Sequence, residues 1–391
     1  MYTIKDGVIY QDGVAIQLRG ISHYGFNTPI LQPQYLWQMA WKQQLAQIKE
    51  LGFNAVRCPF VPDTLYSTAK VDKLSFLEPG GNKDAIGKTP LQFLDMWMTE
   101  ADRLGLYVLL DFHSVSAQRQ YPTWYCDEPA IMYNKQAYTR ENWIRDLVFV
   151  AKRYMPLSHF IGIDIYNEPN GVVRWDAGDA NMTTAANYWK PAAEAAGAAI
   201  LAANRNILIF VQGTTGNFDG KEDSSIPMNW GENFQPQNYN PIRILDSKLV
   251  LSPHTYGPDV YPKKSFTNAK FPQNLRADWD TLFGQFLNVC PGEWGGRYTQ
   301  ASTDLTWQNA FVDYMLSRGI RNSFYWCYTP NSGDTGGILD DNLKVRTDKM
   351  ALLKRLWAGI EHIPPSLPQP PVITIKDGSI TITGSFTIKY G

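Results

Sequence analysis

Two glutamates stand beside apolar, strand-length runs in this chain: Glu168, within Asn167-Glu168-Pro169, and Glu293, within Gly292-Glu293-Trp294. Two carboxyl groups facing one pocket are the minimum equipment for cleaving a glycosidic bond. One, protonated, gives its proton to the leaving oxygen; the other, ionised, attacks the anomeric carbon. Reading the other runs to their ends adds Arg57, His113, Asn167, His254 with Tyr256, and Trp326. Arg57 beside one carboxylate would hold it ionised, while burial or a like charge would raise the pKa of the other. Carboxyl groups about 5–5.5 Å apart imply a covalent intermediate and retention, whereas roughly 6.5–9.5 Å leaves room for a water and inversion.

Each residue also has an ordinary structural explanation. A Glu after a strand is commonly a helix cap, His113 and His254 can be hydrogen-bonded scaffold, Arg57 an ion-pair partner, and Trp326 core. Asn167-Glu168-Pro169 is more specific, because the proline fixes how the chain leaves the strand. The whole set falling at strand ends is what points to one site. Histidines and carboxylates gathered this way could also bind a metal. The chain has only five His, with no H-x-H after the first strand and no HExxH, so that reading is the weaker one.

These residues need elements to position them. Strand-length apolar runs at 18–22, 54–58, 107–112, 160–166, 207–212, 248–253, 289–292 and 323–327 alternate with segments of helical period. The helical segments cover 35–51, 90–104, 140–154, 188–203, 275–286, 305–318 and 347–357. Such alternation implies a parallel sheet covered on both faces, and eight units are the number that closes a (β/α)8 TIM barrel. A doubly wound open sheet is the runner-up, but no G-x-G-x-x-G follows an early strand. The polar loops at 62–89, 114–137 and 213–246 would then form the rim that carries the chemistry.

Short strands at 3–5, 8–10 and 14–18, separated by Asp6-Gly7 and Asp12-Gly13, predict an N-terminal β-hairpin. Residues 1–362 are assigned to a catalytic barrel with this hairpin, and 363–371, with five prolines, to a stiff linker. Residues 372–391 alternate around Asp377-Gly378 and read as a short C-terminal β-hairpin extension.

Of the 391 residues, 44% are apolar and 19% charged, which is a globular composition and rules out disorder. A net charge of −1 argues against a nucleic-acid partner, and no run approaches the roughly 18 apolar residues of a membrane span. The 13 Trp, 21 Tyr and 18 Phe either fill the core or offer faces for stacking on a flat or cyclic ligand, with Trp124, Trp230 and Trp326 as candidate platforms. Cys58, Cys126, Cys290 and Cys327 show no metal spacing and leave zero, one or two disulfides open. The opening MYTIKDG carries no signal-peptide pattern.

Seven collinear motifs carry a family resemblance: LRGISHYGFNT, LGFNAVRCPF, LYVLLDFH, GIDIYNEPNG, LSPHTYGPDVYP, GEWGG and YWCYTPNSGDTGGILDD. In them, from about Val8 to Trp357, the chain resembles glycoside hydrolase family 5 in its bacterial endo-β-1,4-glucanase (cellulase) branch. The resemblance implies a retaining mechanism with Glu168 as acid/base and Glu293 as nucleophile, and no metal or other cofactor. It further implies that Asn167 binds the sugar 2-hydroxyl, Arg57 and Tyr256 flank Glu293, His113 and His254 line the reacting subsite, and Trp326 floors it. The chain departs from the branch at His23, Asn27, Asn170 and Tyr328, all near the cleft. The expected protein is a secreted monomer acting on a β-glucan or cello-oligosaccharide, with neither nucleic acid nor membrane as partner. The alternatives are a β-mannanase, a mixed-linkage or xyloglucan hydrolase, and a non-catalytic carbohydrate-binding barrel.

Overall fold

The computed structural model describes residues 1–72, 81–124, 130–132, 135–171, 173–176, 188–215, 228–261, 279, 286–300 and 303–361, with the strand backbone of 372–376 and 379–383. The chain begins with an antiparallel sheet, β1 (Tyr2–Lys5), β2 (Val8–Gln11) and β3 (Val14–Ile16). Asp6-Gly7 and Asp12-Gly13 turn it, each residue at positive φ, as tight hairpins require.

The barrel follows. Its strands are β4 (Arg19–Ser22), β5 (Ala55–Phe60), β6 (Tyr107–Phe112), β7 (Phe160–Asp164), β8 (Leu208–Val211), β9 (Leu249–Leu251) with β10 (His254–Tyr256), β11 (Glu293–Gly295) and β12 (Ser323–Trp326). Every neighbouring pair in this sheet is parallel, and β12 returns to β4. β9 and β10 are one barrel stave interrupted at Pro253, which has no N–H for a ladder. Backbone bonds from Cys290 to Leu251 and from Gly292 to Pro253 join that stave to the next. The result is the (β/α)8 barrel expected from the eight apolar runs.

Alternation along each strand divides the core. Outward residues such as Val56, Val108 and Ile163 share one core cluster with helices α1 (Trp41–Glu50), α2 (Pro62–Tyr66), α3 (Pro90–Arg103) and α4 (Arg140–Arg153). Two more helices, α5 (Trp189–Ala203) and α6 (Thr303–Arg318), continue this outer layer, and α7 (Thr347–Glu361) completes it. Inward residues Ala55, Leu109 and Leu208 join Tyr2, Ile4 and Ile9 of the hairpin in a second cluster. The N-terminal hairpin therefore plugs the bottom of the barrel, anchored by Tyr2 N–H to the Asn206 carbonyl at 2.7 Å. Filling the lower barrel with apolar groups leaves its upper half for polar ones.

Two boundaries differ from expectation. The seventh stave runs past the 289–292 segment to Glu293–Gly295: the bonds at Cys290 and Gly292 and the Leu251–Val289 bridge join its lower part, and the continuous ladder with β10 begins at Glu293. The first barrel helix starts at Trp41, after Tyr35 at φ 62°, a left-handed conformation that no helix accepts. At the C-terminus, β13 (Val372–Lys376) and β14 (Ser379–Thr383) pair antiparallel, with Ile375 opposite Ile380. The expected helix at 275–286, apart from residues 279 and 286, and the Pro-rich segment 363–371 lie outside the described residues.

Candidate active site

The site is assembled from the inward positions at the upper ends of the strands. Arg57 shares the inner face of β5 with Ala55 and is completely buried. Its guanidinium is an intersection of staves. NH1 pairs with Glu293 Oε1, NH2 donates to Asn167 Oδ1 at 2.9 Å, and NH2 lies 3.0 Å from Asp111 Oδ2. Nε and NH2 donate to Asp164 Oδ2 at 3.2 and 3.1 Å. Four acceptors from three staves leave arginine one position, which is how a long side chain becomes a rigid one.

Glu293 begins β11, directly opposite His254 in the ladder, and is 4% exposed. Tyr256 OH donates to its Oε2 at 2.7 Å, so both carboxylate oxygens are engaged. Glu168 lies just past the end of β7, at φ 52°. A non-glycine residue in that conformation stores about 1–3 kcal/mol, and the surroundings must hold it there. Its N–H donates to Gln212 Oε1 at 2.8 Å, and its carbonyl accepts from Asn170 Nδ2 at 2.8 Å. Gly231, at φ 75°, passes so close that a β-carbon there would meet Gln212 Oε1 at 2.6 Å. Gln212 in turn donates to Asp164 Oδ2 at 2.8 Å, which ties the glutamate's loop to the barrel floor.

The two carboxyl groups face each other. Glu168, His254 and Glu293 each offer an atom within 4.8 Å of the others. His254 Nδ1 lies 3.1 Å from Glu168 Oε1 and 3.5 Å from Glu293 Oε2. His113 Nδ1 is fixed at 2.7 Å from Asp111 Oδ2, and its ring lies parallel to Trp326 at 6.2 Å. A cavity of about 450 Å³ opens above them, lined by His113, Asn167, Glu168, Trp230, Glu293 and Trp326 among others.

Burial raises the pKa of both glutamates, but not equally. At Glu168 burial comes first and the charge of Glu293 adds to it, pushing the carboxyl well above the ordinary range. At Glu293 burial also raises the pKa, but Arg57 opposes it most, followed by His113 and the Tyr256 hydrogen bond. The first proton of the pair therefore belongs to Glu168, and Glu293 carries the charge. Burial, and then the nearby positive charge of Arg57, push His254 well below its ordinary value, which keeps it neutral. One acid, one carboxylate and a neutral imidazole can perform acid/base and nucleophilic catalysis on a neutral substrate.

The structure brings Arg57, His113, Asn167, Glu168, His254, Tyr256, Glu293 and Trp326 together, with Trp230 half exposed at the cavity edge. Trp124 is a correction. It is 3% exposed, stacked on Trp143 at 4.6 Å and parallel to Trp189 at 6.4 Å, with Tyr166 edge-on. Rings from two barrel helices cover the face that was expected to meet a sugar. Trp124→Ala should therefore cost about 3–5 kcal/mol in denaturant unfolding and leave KM unchanged. A raised KM with native stability would contradict this placement.

Three buried polar residues beneath the cavity were not singled out in the sequence. Asp111 and Asp164 are carboxylates inside apolar strands, and Gln212 ends a third. A charged residue in a run such as Leu-Leu-Asp-Phe was the available signal, since a buried carboxylate must find a cation.

Fold and site together define a barrel glycosidase. The sequence profile described as Cellulase (glycosyl hydrolase family 5) matches residues 9–332, and the chain belongs to that family. It is 40% identical over 363 residues to the major extracellular endoglucanase of Xanthomonas campestris pv. campestris, covering 91% of this chain and 71% of that protein. An endoglucanase of Paenibacillus polymyxa is 33% identical, covering 93% and 88%. Among solved structures, the catalytic domain of the Xanthomonas enzyme superposes with a TM-score of 0.81 at 37% identity, covering 91% of this chain and all of that one. A cellotetraose complex of an endocellulase from Pyrococcus horikoshii superposes at 0.80 and 33% identity, covering 91% and 98%.

Proposed function

We propose that this protein is an endo-β-1,4-glucanase that cleaves internal β-1,4-glucosidic bonds of cellulose and related glucans with retention. The observation that carries the reading is the pair of facing glutamates, with carboxylate oxygens within 4.8 Å and unequal surroundings: burial and the Glu293 charge push Glu168 well up, while Arg57 and Tyr256 oppose the rise at Glu293. That spacing leaves no room for a water between carboxylate and anomeric carbon, which favours direct attack. The relatives' endoglucanase names support the substrate class.

In the first step Glu293 attacks the anomeric carbon while the Glu168 proton passes to the glycosidic oxygen. The carbon–oxygen bond breaks, the aglycone leaves with that proton, and a glycosyl ester remains on Glu293. Glu168, now a carboxylate, takes a proton from water as the water oxygen attacks the same carbon. The ester bond to Glu293 breaks and Glu168 is protonated again. Asn167 has its Oδ1 turned toward Arg57, which aims its amide NH2 at the cleft. There it donates to the 2-hydroxyl, a contact that tightens in the oxocarbenium-like transition state. Trp326 and the half-exposed Trp230 offer ring faces to neighbouring sugars.

The protein acts as a secreted monomer in this reading. Among the described residues no helix is long and apolar enough to cross a membrane, and the Xanthomonas relative is named extracellular. The test is hydrolysis of carboxymethylcellulose followed by viscosity and reducing ends together. Viscosity should collapse while few ends have appeared. Viscosity falling only in step with the ends would mean exo-attack, and binding with no ends at all would mean a carbohydrate-binding barrel.

A further inference from the structure

Beneath the two glutamates lies a charge imbalance that the reaction scheme does not use. Arg57 is one cation meeting three carboxylates, Asp111, Asp164 and Glu293, whose side chains are at most 5% exposed. Asp111 and Asp164 occupy paired positions on the adjacent parallel strands β6 and β7. Their Oδ2 atoms converge on the same guanidinium nitrogen, at 3.0 and 3.1 Å. The remaining oxygen of each, Oδ1, is buried without a hydrogen-bond partner. Two ionised carboxylates sharing one guanidinium nitrogen would leave two buried, unsolvated anionic oxygens on paired strand positions, and like charges so placed resist ionising together.

We propose that Asp111 and Asp164 hold one proton between them, and that this pair is a positioning device holding Arg57 against Glu293. The proposal rests on the reading of Glu293 as nucleophile. Asp111 Oδ2 lies within hydrogen-bond distance of both His113 Nδ1 and Arg57 NH2, and Asp164 Oδ2 accepts from Arg57 Nε and NH2 and from the Gln212 amide. Asp164 faces Arg57 from β5, Asp111 from β6, the Gln212 amide beyond β8 and Cys290 before β11. The Cys290 thiol is itself kept neutral by burial. Burial pushes Asp164 up to about 8 despite Arg57, with the Asp111 charge adding to the rise. With Asp164 neutral, the charge of Arg57 is divided between Asp111 and Glu293 only. Loss of the Asp164 proton would draw Nε and NH2 toward β7 and weaken the NH1 contact that keeps Glu293 ionised and aimed. Asp164 is thus a positioning residue and touches no substrate.

Asp164→Asn reproduces the neutral acid, and two readouts test the pair. On an aryl cellobioside, D164N should lose any alkaline inflection of kcat/KM near the Asp164 titration. A loss beyond about a hundredfold with a native melting temperature would mean that the site needs an ionised Asp164, and would overturn the proposal. Infrared spectroscopy of the carboxylic-acid band requires no turnover. In an E168Q background, where the catalytic acid is silent, an acid band should persist at neutral pH, fade as the pH passes about 8, and vanish on adding D164N. If no band titrates there in E168Q alone, the proposal fails whether or not D164N folds. Because this band is read without substrate, it stands apart from failure of the glucanase reading, which would appear as an inert parent enzyme.

Discussion

Glu293→Ala should fold, bind cello-oligosaccharides, and lose kcat on carboxymethylcellulose by roughly five orders of magnitude. The size follows from the role: without the carboxylate there is no covalent intermediate, and only binding and the acid remain. The void left at the start of β11 is bounded by Arg57 and Tyr256, two donors that held the missing carboxylate. A small anion such as azide should occupy it and restore turnover of an activated aryl cellobioside, yielding the inverted glycosyl azide. Steady-state kinetics with and without azide, and the configuration of the product, check this. Activity within tenfold of the parent without azide would remove Glu293 from the mechanism.

Glu168→Gln should separate the two steps of the reaction. On cellulose, whose leaving group needs a proton, kcat should fall about 10²–10⁴-fold. On an aryl cellobioside with an acidic phenol, formation of the glycosyl ester should be nearly unaffected, and release of the ester should become limiting, visible as a burst of phenol. The pH profile follows with its sign. Activity of the parent falls as pH drops through the Glu293 pKa, because the nucleophile is protonated. It falls again as pH rises through the raised Glu168 pKa, because the acid is lost. The variant should keep the acid limb and lose the alkaline limb that belongs to Glu168. A uniform loss on both substrates would contradict the acid/base assignment.

The architecture was legible because the barrel has both faces covered, so its strands appear as uninterrupted apolar runs. The hairpin was legible because Asp-Gly turns announce themselves. Glu293 was identified as chemically relevant, yet its place in the ladder was not: the pairing slips by one residue between the Leu251–Val289 bridge and the His254–Glu293 pair, and strand register depends on a neighbouring stave far away in sequence. Trp124 failed for a similar reason. A tryptophan in a polar loop has the same composition whether its face meets solvent or Trp143 and Trp189, and only the tertiary fold brings those helices beneath it. Asp111 and Asp164 were absorbed into apolar runs because each alone interrupts a strand by a single residue. Their meaning emerges when β5, β6 and β7 stand side by side and one guanidinium meets both.

The account depends on one geometric claim, that an acid and a carboxylate address the same anomeric carbon from opposite sides at a distance too short for water. Proton NMR of the first sugar released from a cello-oligosaccharide, recorded before mutarotation, reads this directly. The account predicts the β-anomer, from two successive inversions through Glu293. The α-anomer as first product would mean a single displacement by water and would contradict it.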